Sequence, residues 1–131
     1  MLRVAARHAD IVSLVSFTSG TELTATNLSH WSWDGLRNRI ELVRGAIADT
    51  AMPEVHLLVQ FAAVTNDRRG AVARWLGEDP SDGYLDSPFL IVGTQDEIKA
   101  QLRKVAGFGV RCVTVFEECV EALLPFASAR D

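Results

Sequence analysis

Apolar and polar positions alternate along the chain with two periods. Leu36, Ile40, Val43 and Ile47 recur at i, i+4, i+7 and i+11 and predict an amphipathic helix from about Trp33 to Asp49, with Ser32 as its N-cap. Ile98, Leu102 and Val105 form a second stripe behind Thr94-Gln95-Asp96-Glu97, a capping box in which the hydroxyl and the carboxylate satisfy each other's backbone N–H groups. Gly107 and Gly109 end that helix. Val72, Trp75 and Leu76 mark a helix opened by Thr65-Asn66-Asp67. Leu2, Ala5, Ala6 and Ala9 give the first eight residues a small-residue helical face, and a last helix from about Glu118 runs through Val120, Leu123 and Leu124 to Pro125.

Between the helices lie β-type runs. Ile11 to Val15 is short and β-branched, and Pro88 to Val92 is extended. Glu54 to Val64 reads as one strand, mostly apolar through Val55, Leu57, Leu58, Val59 and Phe61, and Val110 to Phe116 as another. Apolar character on both faces marks a parallel strand covered on both sides. Its alternation with helices predicts an α/β fold with a parallel sheet. Three long strands leave two open edges, a liability in a soluble sheet. Residues 16–32, rich in Ser, Thr, Asn and Gly, and residues 77–87 are predicted flexible loops; a loop as long as the first is usually functional or mobile.

With 131 residues, 48% apolar and 23% charged, the chain fits one globular domain and excludes a disordered or collagen-like one. Thirteen basic against 17 acidic residues, net −4, argue against nucleic acid or an anionic membrane surface as partner. The apolar runs are too short to cross a bilayer. The N-terminus lacks the apolar core and cleavage site of a secretory leader, so a cytoplasmic location is expected. There Cys112 and Cys119 are reduced, one as a strand thiol and one as a helical thiol.

Working residues of parallel α/β folds sit beyond the C-terminal ends of strands. Here those places are Ser16 to Gly20, Thr65 to Asp67, and Glu117 with Glu118. His8, His30 and His56 match no metal-binding spacing. His30-Trp31-Ser32-Trp33 could stack on a planar ring, but anchoring the long loop to the sheet is the stronger reading. Gly93-Thr94 could hold a phosphate at a helix N-terminus, but a simple turn is the better explanation. Dinucleotide, P-loop and serine-hydrolase fingerprints are absent.

Three stretches, in this order, carry a resemblance. They are Met1-Leu2-Arg3-Val4-Ala5-Ala6-Arg7-His8-Ala9-Asp10-Ile11-Val12, Ser87-Pro88-Phe89-Leu90-Ile91-Val92-Gly93-Thr94-Gln95-Asp96-Glu97-Ile98, and Gly107-Phe108-Gly109-Val110-Arg111-Cys112-Val113-Thr114-Val115-Phe116. Together they resemble the C-terminal part of luciferase-like monooxygenases, most of all the branch dependent on coenzyme F420. The resemblance implies the C-terminal portion of a TIM-type (β/α)8 barrel, about three parallel βα units that begin inside a helix, from a fold that needs eight strands and about 250 residues when complete. It further implies an F420- or FMN-dependent oxidoreductase acting on a small organic substrate, with the cofactor supplying the electron chemistry. Ser16, Thr18, Thr65 and Asn66 occupy strand ends that would face the cofactor mouth, although no motif assigns them or any catalytic residue. Cut from its barrel, the chain is expected to be truncated, inactive or weak. It would expose the inner apolar faces of Val55 to Phe61 and Val110 to Phe116 and pair with its own copies or with a missing barrel half. The alternative is a non-catalytic α/β interaction module working through exposed sheet edges.

Overall fold

The computed structural model describes residues 2–15, 31–47 and 51–126. Local chemistry sets most of the helix starts. Ser32 accepts a hydrogen bond from the Gly35 N–H at 3.0 Å and opens the helix Trp33–Ala46. Asp67 accepts from the Gly70 N–H at 2.9 Å and opens Arg68–Leu76. A Cβ on Gly70 would lie 2.0 Å from an Asp67 carboxylate oxygen, so this cap requires glycine there. Gly77, at φ +85°, closes the same helix in the left-handed conformation that glycine adopts without steric cost. The box at Thr94 and Glu97 is reciprocal, with Thr94 N–H on Glu97 Oε2 at 2.8 Å and Glu97 N–H on Thr94 Oγ1 at 3.3 Å.

In chain order the elements are α1 (Leu2–His8), β1 (Ile11–Leu14), α2 (Trp33–Ala46), β2 (Glu54–Leu58), β3 (Phe61–Val64), α3 (Arg68–Leu76), α4 (Asp82–Leu85), β4 (Leu90–Gly93), α5 (Gln95–Gly107), β5 (Val110–Thr114) and α6 (Val120–Leu123). The turns Glu117–Cys119 and Leu124–Phe126 are 3₁₀ helices flanking α6. Among the described residues no helix is long and apolar enough to cross a membrane.

All strand pairs are parallel, as the helix–strand alternation implies. They form a three-stranded sheet in the order β1-β2-β5 and a two-stranded sheet, β3-β4. The run 54–64 is therefore two strands rather than one. Its N–H groups change partners at the junction: Val59 donates to Thr114 O on the β5 side at 2.9 Å, whereas Gln60 and Phe61 both reach Phe89 O, at 2.9 and 3.4 Å. Two consecutive donors on one acceptor interrupt the ladder and hand the chain from one sheet to the other.

Burial corrects a second expectation. β1 and β2 are not covered on both faces: they alternate exposed or half-buried with buried positions. Val12, Leu14, Val55 and Leu57 face the core, which also contains Leu36, Ile40 and Val43 of α2 and Ile98 and Val105 of α5. Each such side chain contributes about 1.5–3 kcal/mol by leaving water. Only β4 is buried at every position. The interval 77–87 is not all loop, since Ser81 caps the single turn α4, which buries Tyr84.

Side chains bond strand carbonyls at the outer edge of β4 and just beyond β1. Phe89 O and Gly93 O face β3, so the carbonyls of Leu90 and Val92 point to the outer edge of β4. There Arg68 Nη1 donates to Val92 O at 2.6 Å and Leu90 O at 3.4 Å, Arg68 Nη2 to Leu85 O, and Gln101 Nε2 to Val92 O at 3.1 Å. Next to β1, Val15 O accepts from Arg39 Nη1 at 2.6 Å. Burial lowers the pKa of both arginines from its ordinary value; for Arg68, Asp86 and Glu97 partly offset the effect.

Candidate functional site

The side of the β1-β2-β5 sheet opposite the core is not closed over. Side chains alternate across a strand, and paired residues share a face. This face therefore carries Ile11 and Ser13 from β1, Glu54, His56 and Leu58 from β2, and Cys112 and Thr114 from β5. Ile11, Ser13, Glu54 and Thr114 are exposed; His56, Leu58 and Cys112 are half-buried. The inner faces expected to be apolar are thus mixed in character.

One row crosses all three strands. Ser13 pairs with His56, and His56 pairs with Cys112. Glu54, two positions before His56 on the same face, lies with Oε1 2.7 Å from His56 Nε2. An ionised carboxylate only accepts, so Nε2 carries the proton and Nδ1 is the basic nitrogen of the neutral ring. The imidazole is oriented by a carboxylate, whereas the thiol of its register partner Cys112 is directed at Val113 O at 3.9 Å. The β5 register sets this pairing. Val55 pairs with Val110 and His56 with Cys112, so Arg111 is an extra residue at a bulge, and Cys112 rather than Arg111 is the register partner of His56. Glu54, Arg111 and Cys112 also line a groove of about 830 Å³, which continues over Val113, Val115 and Leu124.

A second cavity, of about 420 Å³, lies between Trp33, Arg68, Asp82, Asp86, Gln101 and Lys104. Its cations are already engaged. Arg68 holds backbone carbonyls, and the Lys104 ammonium sits 4.0 Å from the centre of the Trp33 ring.

The strand-end candidates are not gathered into one site. Ser16 and Thr18 lie outside the described residues, as does His30. Thr65 Oγ1 accepts from the Asp67 N–H at 3.0 Å and shapes the start of α3, and Asn66 is exposed. At Gly93-Thr94 the carboxylate of Glu97 already occupies the helix start, which fits the turn reading rather than a phosphate site. Trp31 is fully buried, stacked on Tyr84 of α4 and on Phe89 before β4, and donates from Nε1 to Tyr84 O at 2.6 Å. Cys112 is half-buried on a strand and Cys119 buried in a helical turn, both as free thiols. Among the described residues no group of three or more metal-binding side chains converges.

Sequence reasoning missed the Glu54–His56 pair, although the period-two alternation Glu54-Val55-His56-Leu57 would have shown both on one face. Compared with protein-family models, curated proteins and solved structures, the chain matches none.

Proposed function

We propose that the chain is the C-terminal barrel segment of a luciferase-like, F420- or flavin-dependent oxidoreductase, and that the isolated segment is inactive or weak. The observation that carries this reading is the one-sided β1-β2-β5 sheet. Its three parallel strands run in the order β1-β2-β5, with β3 and β4 in a sheet of their own, its helices pack on one face, and its other face is open. An arc of a (β/α)8 barrel has that layering, with the bare face turned to the barrel interior. A doubly wound sheet instead covers both faces and reverses its strand order.

The described residues do not by themselves form a site for a tricyclic ring and its phosphate. Thr65 is committed to a turn, Asn66 is exposed, and the helix start at Thr94 is filled by Glu97. The segment therefore supplies one wall of a cofactor mouth, and the rest comes from further copies or from a missing barrel half. The chain's net charge of −4 favours neither nucleic acid nor an anionic membrane as partner. The test is a fluorescence titration of purified protein with coenzyme F420, with FMN in parallel, alongside sedimentation. Saturable binding of either cofactor supports the reading. A stable, monodisperse monomer without affinity for either overturns it.

A second reading, a non-catalytic interaction module, is favoured by the groove along β5, where Val120 and Leu124 are 38% and 57% exposed. Arg68 and Gln101 cover the outer edge of β4, whereas the β5 side keeps exposed apolar side chains that a partner could cover. Recovery of one stoichiometric protein partner would favour this reading, and self-sufficient oxidoreductase activity would sink it.

A further inference from the structure

We propose that the solvent face shared by α1 and α2 docks a short acidic segment of a partner protein. The inference goes beyond the barrel reading and does not depend on it. Charge is segregated in this chain. The two packed helices carry five arginines against two carboxylates, Asp34 and Glu41, whereas the whole chain is acidic at net −4. Arg39 is spent on Val15 O, but Arg3, Arg7, Arg37 and Arg44 are exposed. Two depressions gather them. One, of about 260 Å³, lies between Arg3 and Arg7 of α1 and Leu42 of α2. The other, of about 200 Å³, lies between Arg37, Arg44 and Phe108, and Glu41 borders both.

Most of this charge is not neutralised within the molecule. Asp34 holds Arg37 at 3.3 Å, but Arg3, Arg7 and Arg44 form no ion pair among the described residues. Arg7 Nε donates to Ala46 O at 3.2 Å, which fixes that guanidinium at the end of α2 and leaves its two Nη groups for a ligand. Three guanidiniums thus face one carboxylate, Glu41, and each presents the paired N–H groups that match a carboxylate in geometry. Leu42, 37% exposed, adds an apolar contact in the same depression. The length of the face selects the ligand. Arg37 to Arg44 covers about 10 Å of helix axis, the reach of about three extended residues. A short acidic segment feels this local field, because charges beyond about 8 Å are largely screened at physiological salt. A long polyanion such as nucleic acid would run on over the acidic remainder of the chain and be repelled there.

The test is the fluorescence anisotropy of a labelled pentapeptide, four glutamates around a leucine, titrated with the purified chain. A labelled single-stranded oligonucleotide is run in parallel. Saturable peptide binding is expected, weakening severalfold as salt rises from low to physiological strength. Arg3→Gln combined with Arg44→Gln should weaken it about tenfold, since each exposed ion pair is worth roughly threefold. Arg74→Gln, on α3 and outside this face, should leave it unchanged. Should the double variant fail to fold, Arg3→Gln alone decides, with a loss of about threefold expected. The proposal is overturned if the peptide does not bind, or if the double variant binds it as tightly as the parent. It is equally overturned if Arg74→Gln weakens binding as much, or if the oligonucleotide binds more tightly than the peptide.

Discussion

At the residue scale, Trp31 ties the α2 start to the segment before β4. Its ring centroid lies 4.7 Å from that of Tyr84 and 5.6 Å from that of Phe89, and Ser87 Oγ returns a bond to Trp31 O at 2.6 Å. Trp31→Ala is expected to cost about 3–5 kcal/mol in urea unfolding, because it removes a buried aromatic and leaves a cavity. Trp31→Phe keeps a ring but strands Tyr84 O, at about 1–2 kcal/mol. Equal midpoints for the two variants would show that the indole N–H contributes nothing. Tyr84 supplies a pH prediction. Burial, with Glu78 as a lesser cause, pushes its phenol from 10.0 up to about 12. The folded state thus favours the neutral form, so this contribution is complete below pH 10 and is lost as pH rises from 10 towards 12. The chain has one tyrosine, so tyrosinate absorbance reports the group directly. Tyr84→Phe should flatten that part of the stability profile, and an unchanged profile would refute the assignment.

At the element scale, the outer edge of β4 depends on Arg68. One guanidinium holds the carbonyls of Leu85, Leu90 and Val92, which lysine's single ammonium cannot match in geometry. Arg68→Lys is expected to lower stability by about 2 kcal/mol in denaturant titration and to raise the aggregation rate, because it uncovers a strand edge. An unchanged midpoint with unchanged light scattering would refute this role. The capping box predicts that Thr94→Ala lowers stability by about 1 kcal/mol, measured in the same way. That box, the Ser32 cap and the Leu36-Ile40-Val43 stripe were legible in the sequence because each is decided within one or two helical turns. The split at Val59-Gln60 was not, since it depends on which strand each N–H meets, and Leu58 on the open face made β2 look apolar throughout. The site divides in the same way. Glu54 and His56 are local neighbours on a strand, whereas Cys112 comes to the same face only through register and a bulge. Trp31 finds Tyr84 across 53 positions.

At the scale of the whole molecule, the sheet is finished on one side only. The core face is filled by α2 and α5 residues, while the opposite face leaves Ile11 53% exposed. Beside β5, Phe116, Val120 and Leu124 are 42%, 38% and 57% exposed and flank or line the groove. An apolar strip beside an edge strand is a surface that a soluble chain tends to bury against another. A barrel arc would add its next strand at such an edge. The expected outcome in sedimentation is a concentration-dependent mass above the 14.4 kDa of one chain. Leu124→Glu, at a position too exposed to disturb folding, should weaken that association about tenfold, roughly 1.4 kcal/mol. Ile11→Lys, on the open face at the opposite edge of the sheet, should leave it nearly unchanged if copies meet along the β5 groove. If Ile11→Lys separates the copies and Leu124→Glu does not, the contact lies on the bare face around β1. If the parent sediments as a monomer at every concentration, self-association along the β5 edge is refuted.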